Sequence, residues 1–152
     1  MATEIGRIKF MDGKAKKWKF DDISVGYKTE RVGFYIRPEE IDDFVRLSGD
    51  ASPLHINDEF AKAKGFDGRI VHGIMLASKI SYIIGMVIPG EGGIYMAQEL
   101  VFHKPIYVNE QCAVQGTVIR KSEATRIVEI KTEIFNSKGE LAVDGTAKVK
   151  ML

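Results

Sequence analysis

Between Gly73 and Val87 the sequence reads GIMLASKISYIIGMV, with Ile74, Met75, Leu76, Ile80, Ile83, Ile84, Met86 and Val87 covering nearly every helical face. A helix of that length spans about 22 Å at 1.5 Å per residue. A surface helix keeps one polar face, so this one is predicted to be buried on nearly all sides. Ser78, Lys79, Ser81 and Gly85 interrupt the apolar run, which argues against a bilayer span. Pro89-Gly90 ends it. The rest of the chain must therefore surround this segment.

After Pro89 the apolar period drops from about 3.6 to 2, and four stretches are long enough for strands: 94–103, 111–120, 125–135 and 141–150. Val128, Ile130, Thr132 and Ile134 share one face against Glu129, Lys131 and Glu133 on the other. Asn136-Ser137-Lys138-Gly139 reads as a hairpin turn, and Lys121-Ser122-Glu123 as another. No crossover helices intervene, so the sheet is expected to be antiparallel. The economical solution is one α+β domain in which the sheet curls around the buried central helix. The alternative is a two-layer domain with the helix lying flat on the sheet. A small wrapped core of this kind often also needs a partner subunit.

Upstream, residues 1–19 read as an N-terminal arm with four lysines around Trp18, and 20–152 as the domain. Val25-Gly26 marks a turn, followed by a strand through Ile36. Pro38, Glu39 and Glu40 suit the start of a helix that presents Ile41, Phe44, Val45 and Leu47 and stops at Gly49. Asn57 is placed to cap a short helix near 58–63, ended by Gly65.

Lys and Arg total 22 against 21 Asp and Glu, in 152 residues. That balance argues against a nucleic-acid stripe, an acidic solvating tail and a polybasic membrane anchor. One cysteine excludes an intrachain disulfide framework and a cysteine-only metal cluster. The start, MATEIGRIKFMDGKAKKWKF, lacks the apolar stretch of a signal peptide, so a cytoplasmic, non-membrane protein is expected.

The densest polar cluster beside apolar structure is Ser48-Gly49-Asp50-Ala51-Ser52-Pro53-Leu54-His55. Pro53 holds Ser52 extended, so a non-helical link can present Asp50 and His55 to one point. A carboxylate and an imidazole converging on one water suit proton transfer at neutral pH. The plainer alternative is that Asp50 caps a turn and His55 is a satisfied buried histidine. His72-Gly73 precedes the buried helix, whose unpaired N–H groups form a ready oxyanion site; Gly73 either admits a ligand to the backbone or merely lets the helix enter a crowded core. The histidines at 55, 72 and 103 lack metal-ligand spacing, so no metal is expected. There is no nucleotide fingerprint, and Ser78 and Ser81 lack a nucleophile elbow. Cys112 falls in a strand, where a packed thiol is the default.

Three ordered blocks carry a resemblance: L-S-G-D-A-S-P-L-H-I-N, then F-A with G-F-D-G-R-I-V-H-G-I-M-L-A-S, then P-G-E-G-G-I-Y-M-A-Q-E-L-V-F-H-K-P-I. From about Phe20 onward the chain resembles the MaoC-like (R)-specific enoyl-CoA hydratases of the hot dog fold. The resemblance implies a central helix wrapped by an antiparallel sheet, and a homodimer or an oligomer of dimers with an acyl tunnel at the subunit interface. It implies that Asp50 and His55 are catalytic and that the Gly73 N–H polarises the thioester carbonyl. Ser52 stands where the family usually has asparagine and Asn57 where aspartate is common, so both are expected to support the pair. The coenzyme A thioester is then the substrate, with no further cofactor, and (3R)-hydroxyacyl-CoA the product. Leu76, Ser78, Ile80 and Ile83, beyond Gly73, are candidates for the acyl wall, and the branched isoleucines favour short chains. A dehydratase of acyl-carrier-protein substrates and a non-catalytic acyl-CoA binder are the alternatives; a thioesterase would need the water aimed at the carbonyl carbon.

Overall fold

The computed structural model describes residues 9–10 and 13–152. Of the predicted arm, residues 1–8 and 11–12 lie outside the described residues. The first element, β1 (Lys9–Phe10), lies parallel to β2 (Val32–Phe34). Residues 16–18 seal the end of the central helix: Lys16 N–H donates to Met86 O at 2.9 Å and Trp18 Nε1–H to Val87 O at 2.9 Å. The strand expected through Ile36 ends at Phe34, although Ile36 is itself buried.

Helix α1 (Pro38–Ser48) starts as its sequence requires. Pro38 occupies the first turn, and Glu40 Oε2 accepts the Arg37 N–H at 2.8 Å. Gly49 adopts φ 78° and ends the helix with its N–H on Val45 O. Ile41 is buried and Phe44 and Val45 pack on the core, but Leu47 points into solvent at 85% exposure. Two short helices follow, α2 (Pro53–Ile56) and α3 (Asp58–Ala63).

The central helix, α4 (Gly73–Tyr82), runs on through one wide turn of π type at Ile83–Val87. Ile80 and Ile83 are fully buried, at 0% exposure. Burial on nearly all sides is corrected, however. Ile74, Ser78, Ser81 and Gly85 form one exposed stripe, spaced by four, three and four residues, because the sheet wraps the helix only partway round.

The sheet comprises β3 (Gly93–Gln98), β4 (Val101–Phe102), β5 (Cys112–Ser122), β6 (Ile127–Phe135) and β7 (Leu141–Met151), with β1 and β2. Its order is β1-β2-β5-β6-β7-β3, with β4 also paired to β7, and every pairing except β1 with β2 is antiparallel. On β6 the predicted face holds: Val128, Ile130, Thr132 and Ile134 are all buried against the helix side. Asn136 makes its hairpin through Oδ1, which accepts the N–H groups of Lys138 and Glu140. The single strand expected over 94–103 is instead two, broken at Glu99-Leu100, where Glu99 N–H donates to Thr146 O at 3.0 Å. There the Glu99 carbonyl occupies the place where a Cβ on Gly145 would stand, so only glycine fits opposite the break.

Strand β3 ends the sheet, and its residues 94–97 are exposed, Met96 at 57%. Among the described residues, no helix is long and apolar enough to cross a membrane.

Candidate active site

The link after α1 is built from local hydrogen bonds. Ser48 Oγ accepts the Asp50 N–H at 3.1 Å, and Asp50 Oδ1 accepts the Ser52 N–H at 3.1 Å. Asp50 thus caps a turn with one oxygen, while Oδ2 lies 3.9 Å from His72 Nε2. His55 sits on the single helical turn of α2 rather than in the non-helical link expected for it, because Pro53 starts that turn and His55 N–H closes on Ser52 O.

The tautomer of His55 follows from its partner. Nδ1 lies 2.8 Å from Ile70 O, and a carbonyl oxygen can only accept, so Nδ1 carries the proton and Nε2 keeps its lone pair. Asp50, His55 and His72 gather so that one side-chain donor or acceptor atom of each lies within 4.8 Å of the others. His72 is buried at 2% exposure, with its ring stacked on His55 at 3.8 Å between centroids. The ring planes are tilted by 29°, and each ring has one nitrogen against a backbone oxygen, His55 Nδ1 at Ile70 O and His72 Nε2 at Asp50 O.

Gly73 heads α4, where first-turn N–H groups have no carbonyl behind them. A Cβ on Gly73 would lie 2.8 Å from the Phe102 ring, so close approach is the reason for glycine there. His55 and Gly73 share the wall of a cavity of about 450 Å³, with Phe66, Ile70, Leu76 and Phe102 as its apolar lining. At its edge His103 Nε2–H donates to Asp144 Oδ1 at 2.7 Å, and Lys104 pairs with Glu140 at 2.8 Å.

Of the four residues proposed for an acyl wall, only Leu76 lines this cavity. Ser78 faces out on the exposed stripe. Ile80 and Ile83 lie farther along the helix, buried in the core and outside the cavity lining. Ile83 packs there on β5, where a Cβ at Gly116 would stand 2.9 Å from its Cγ2. The short-chain argument drawn from those isoleucines loses its footing. Asn57 is a helix cap, its Oδ1 accepting the Phe60 N–H at 2.9 Å, and does not support the pair. Ser52 touches Asp50 through its backbone N–H. Cys112 is packed inside β5, where burial and then the Glu110 charge push its thiol up to about 12.

The sequence passed over His72 as a member of the cluster and Phe66 and Phe102 as cavity walls. Their only advance signal was the V-H-G step into the helix and two aromatic residues each followed by a polar one.

Residues 21–138 match the family model described as a MaoC like domain. An (R)-specific enoyl-CoA hydratase of Aeromonas caviae is 37% identical over 129 residues, covering 85% of this chain and 96% of that one. A mitochondrial 3-hydroxyacyl-[acyl-carrier-protein] dehydratase of Arabidopsis thaliana is 35% identical over 112 residues, covering 72% of this chain and 66% of that one. Among solved structures, an (R)-hydratase from A. caviae involved in PHA biosynthesis superposes with a TM-score of 0.81 at 37% identity, over 86% of this chain and 98% of its own.

Proposed function

Because the chain belongs to the MaoC-like domain family, we propose that it is an (R)-specific enoyl-CoA hydratase, adding water to trans-2-enoyl-CoA to give (3R)-hydroxyacyl-CoA. The observation that carries this reading is one cavity wall holding both a histidine with a free Nε2 lone pair and a helix N-terminus opened by glycine. The Asp50 carboxylate flanks that wall.

Hydration of a conjugated thioester places negative charge on the thioester oxygen as water attacks C3. The Gly73 N–H and the positive end of α4 stabilise that oxygen. His55 Nε2 and the free oxygen of Asp50 hold the water between them; the pair removes one proton from it and delivers one to C2. Because both groups stand on one side of the alkene, the addition is syn. No redox change occurs, so the reaction needs no cofactor beyond the thioester itself. Phe66, Ile70, Leu76 and Phe102 receive the acyl chain and exclude bulk water.

The A. thaliana relative supports a second reading, dehydration of acyl-carrier-protein substrates by the same groups run in reverse. We infer a homodimer as the working unit, joined along the open edge of β3, and a cytoplasmic location. Loss of enoyl absorbance with crotonyl-CoA tests the activity, with free-thiol detection alongside. Thiol release without hydration would make the protein a thioesterase, and neither signal would leave an acyl-CoA binder. Turnover compared on both carriers separates the two hydro-lyase readings, and sedimentation equilibrium showing a fully active monomer would refute the dimer.

A further inference from the structure

We propose that His72 is a positioning residue that holds Asp50 in register with His55, through the hydrogen bond from its Nε2–H to the Asp50 backbone oxygen. The proposal rests on the hydratase reading of this site. The His72 imidazole is wedged between Phe44, with ring centroids 4.7 Å apart, and His55, at 3.8 Å and an interplanar angle of 29°. Its Nε2 lies 2.9 Å from the backbone oxygen of Asp50. That oxygen can only accept, so the proton sits on Nε2 and the lone pair on Nδ1.

Nδ1 is buried with no hydrogen-bond partner. An orphaned buried acceptor destabilises the fold. A residue selected for packing alone would be better served by phenylalanine, which fills the same slot without the orphan. What histidine adds is a flat ring together with a donor at Nε2. That donor matters because of how the Asp50 link is anchored. Among the described residues, the other hydrogen bonds of Gly49, Asp50, Ala51 and Ser52 stay within residues 45–55. The bond from His72 ties this link to the start of α4, 22 residues away.

His72 also immediately precedes Gly73. One residue therefore sets the spacing among the Asp50 carboxylate, the His55 imidazole and the backbone N–H that faces the thioester oxygen. In such a constellation a displacement of about 1 Å costs on the order of 100-fold in rate. His72 need not touch substrate to act this way.

Two substitutions separate the donor from the ring. His72→Phe keeps the ring and removes the donor; His72→Gln places an amide N–H at similar reach and removes the ring. Steady-state kinetics with crotonyl-CoA are measured on both, with the folded fraction at assay temperature taken from circular dichroism. We expect His72→Phe to lower kcat about 10- to 100-fold with KM changed less than about twofold, and His72→Gln to recover kcat to within about threefold of the parent. A folded His72→Phe enzyme with near-parental kcat would overturn the proposal, as would a glutamine variant damaged as badly as the phenylalanine one. Imidazole nitrogen NMR of the parent protein gives a readout independent of turnover: His72 should appear as the Nε2–H tautomer, and an Nδ1–H tautomer would overturn the assignment even if His72→Phe failed to fold. A parent protein with the Nε2–H tautomer but no hydration of crotonyl-CoA would sink the hydratase reading while supporting the hydrogen bond to Asp50.

Discussion

Replacing Gly73 by alanine probes the close approach of Phe102 to the start of the central helix. The new Cβ would stand 2.8, 3.0 and 3.1 Å from three carbons of the Phe102 ring. Ordinary carbon contacts begin near 3.5 Å, so the ring must retreat by roughly 0.7 Å. Phe102 is 48% exposed, so its side chain can swing instead of the backbone. The cost in stability should then fall below the ~1–3 kcal/mol typical of overpacking a closed core. Activity should suffer more, because the methyl and the displaced ring both crowd the place where the thioester oxygen meets the Gly73 N–H. We expect kcat/KM on crotonyl-CoA to fall about 10- to 100-fold, or ~1.4–2.8 kcal/mol of transition-state stabilisation. Adding Phe102→Leu removes the clashing ring atoms, so the double variant should regain part of the loss, a coupling of ~0.5 kcal/mol or more in a double-mutant cycle. Parental kcat/KM in the alanine variant would refute the placement of substrate against Gly73. A loss that Phe102→Leu leaves untouched would refute the steric account.

Asp50→Asn and His55→Ala should each lower kcat by about 10²–10⁴ while leaving the melting temperature nearly unchanged, and the double variant should lose less than the product because both groups act on one water; crotonyl-CoA kinetics with thermal melts check this. Ile80→Asp puts an unpaired charge at a position with 0% exposure and should abolish the cooperative far-ultraviolet melt. Burial raises the Cys112 thiol from 9.0 to about 12, so the unfolded chain ionises first as pH rises. Its contribution to stability is therefore complete below pH 9 and declines between about 9 and 12, which urea titrations of the parent and Cys112→Ala at pH 8 and 10 should show. Enoyl-CoA substrates of four, six, eight and twelve carbons, compared in the parent and in Phe66→Ala, should show the alanine variant shifted toward longer chains; an unchanged profile would remove Phe66 from the acyl path.

The parts of the fold readable from sequence were those set by local chemistry. The run from Gly73 to Val87 is too long and too apolar for a strand, and the alternation at 127–135 fixes which side faces the helix. Asn57 and the Asn136–Gly139 turn were legible because their side chains bond to backbone three or fewer residues away, or four in the case of Glu140. Asp50 and His55 stood out because they lie five positions apart in one segment. The stack of His55 on His72 was not legible, because it joins segments whose relation is set by the packing of α2 against the start of α4. Cavity walls were hidden for the same reason, with Phe66 and Phe102 arriving from opposite sides of the central helix in sequence. Hydropathy also could not tell that Ile74 is 65% exposed while Ile80 is buried, since only the extent of the sheet's curl separates them.

The break between β3 and β4 places a strict demand on a residue that never meets the cavity. Gly145 has no room for any side chain beneath the Glu99 carbonyl, and the segment resting on it carries Phe102 into the cavity three residues later. A library randomised at 145 and selected for turnover should return glycine almost exclusively, whereas Phe66, on a separate loop, should drift freely among apolar residues. Substrate range can diversify in this lineage by exchanging cavity walls one at a time, while the floor beneath the break stays frozen.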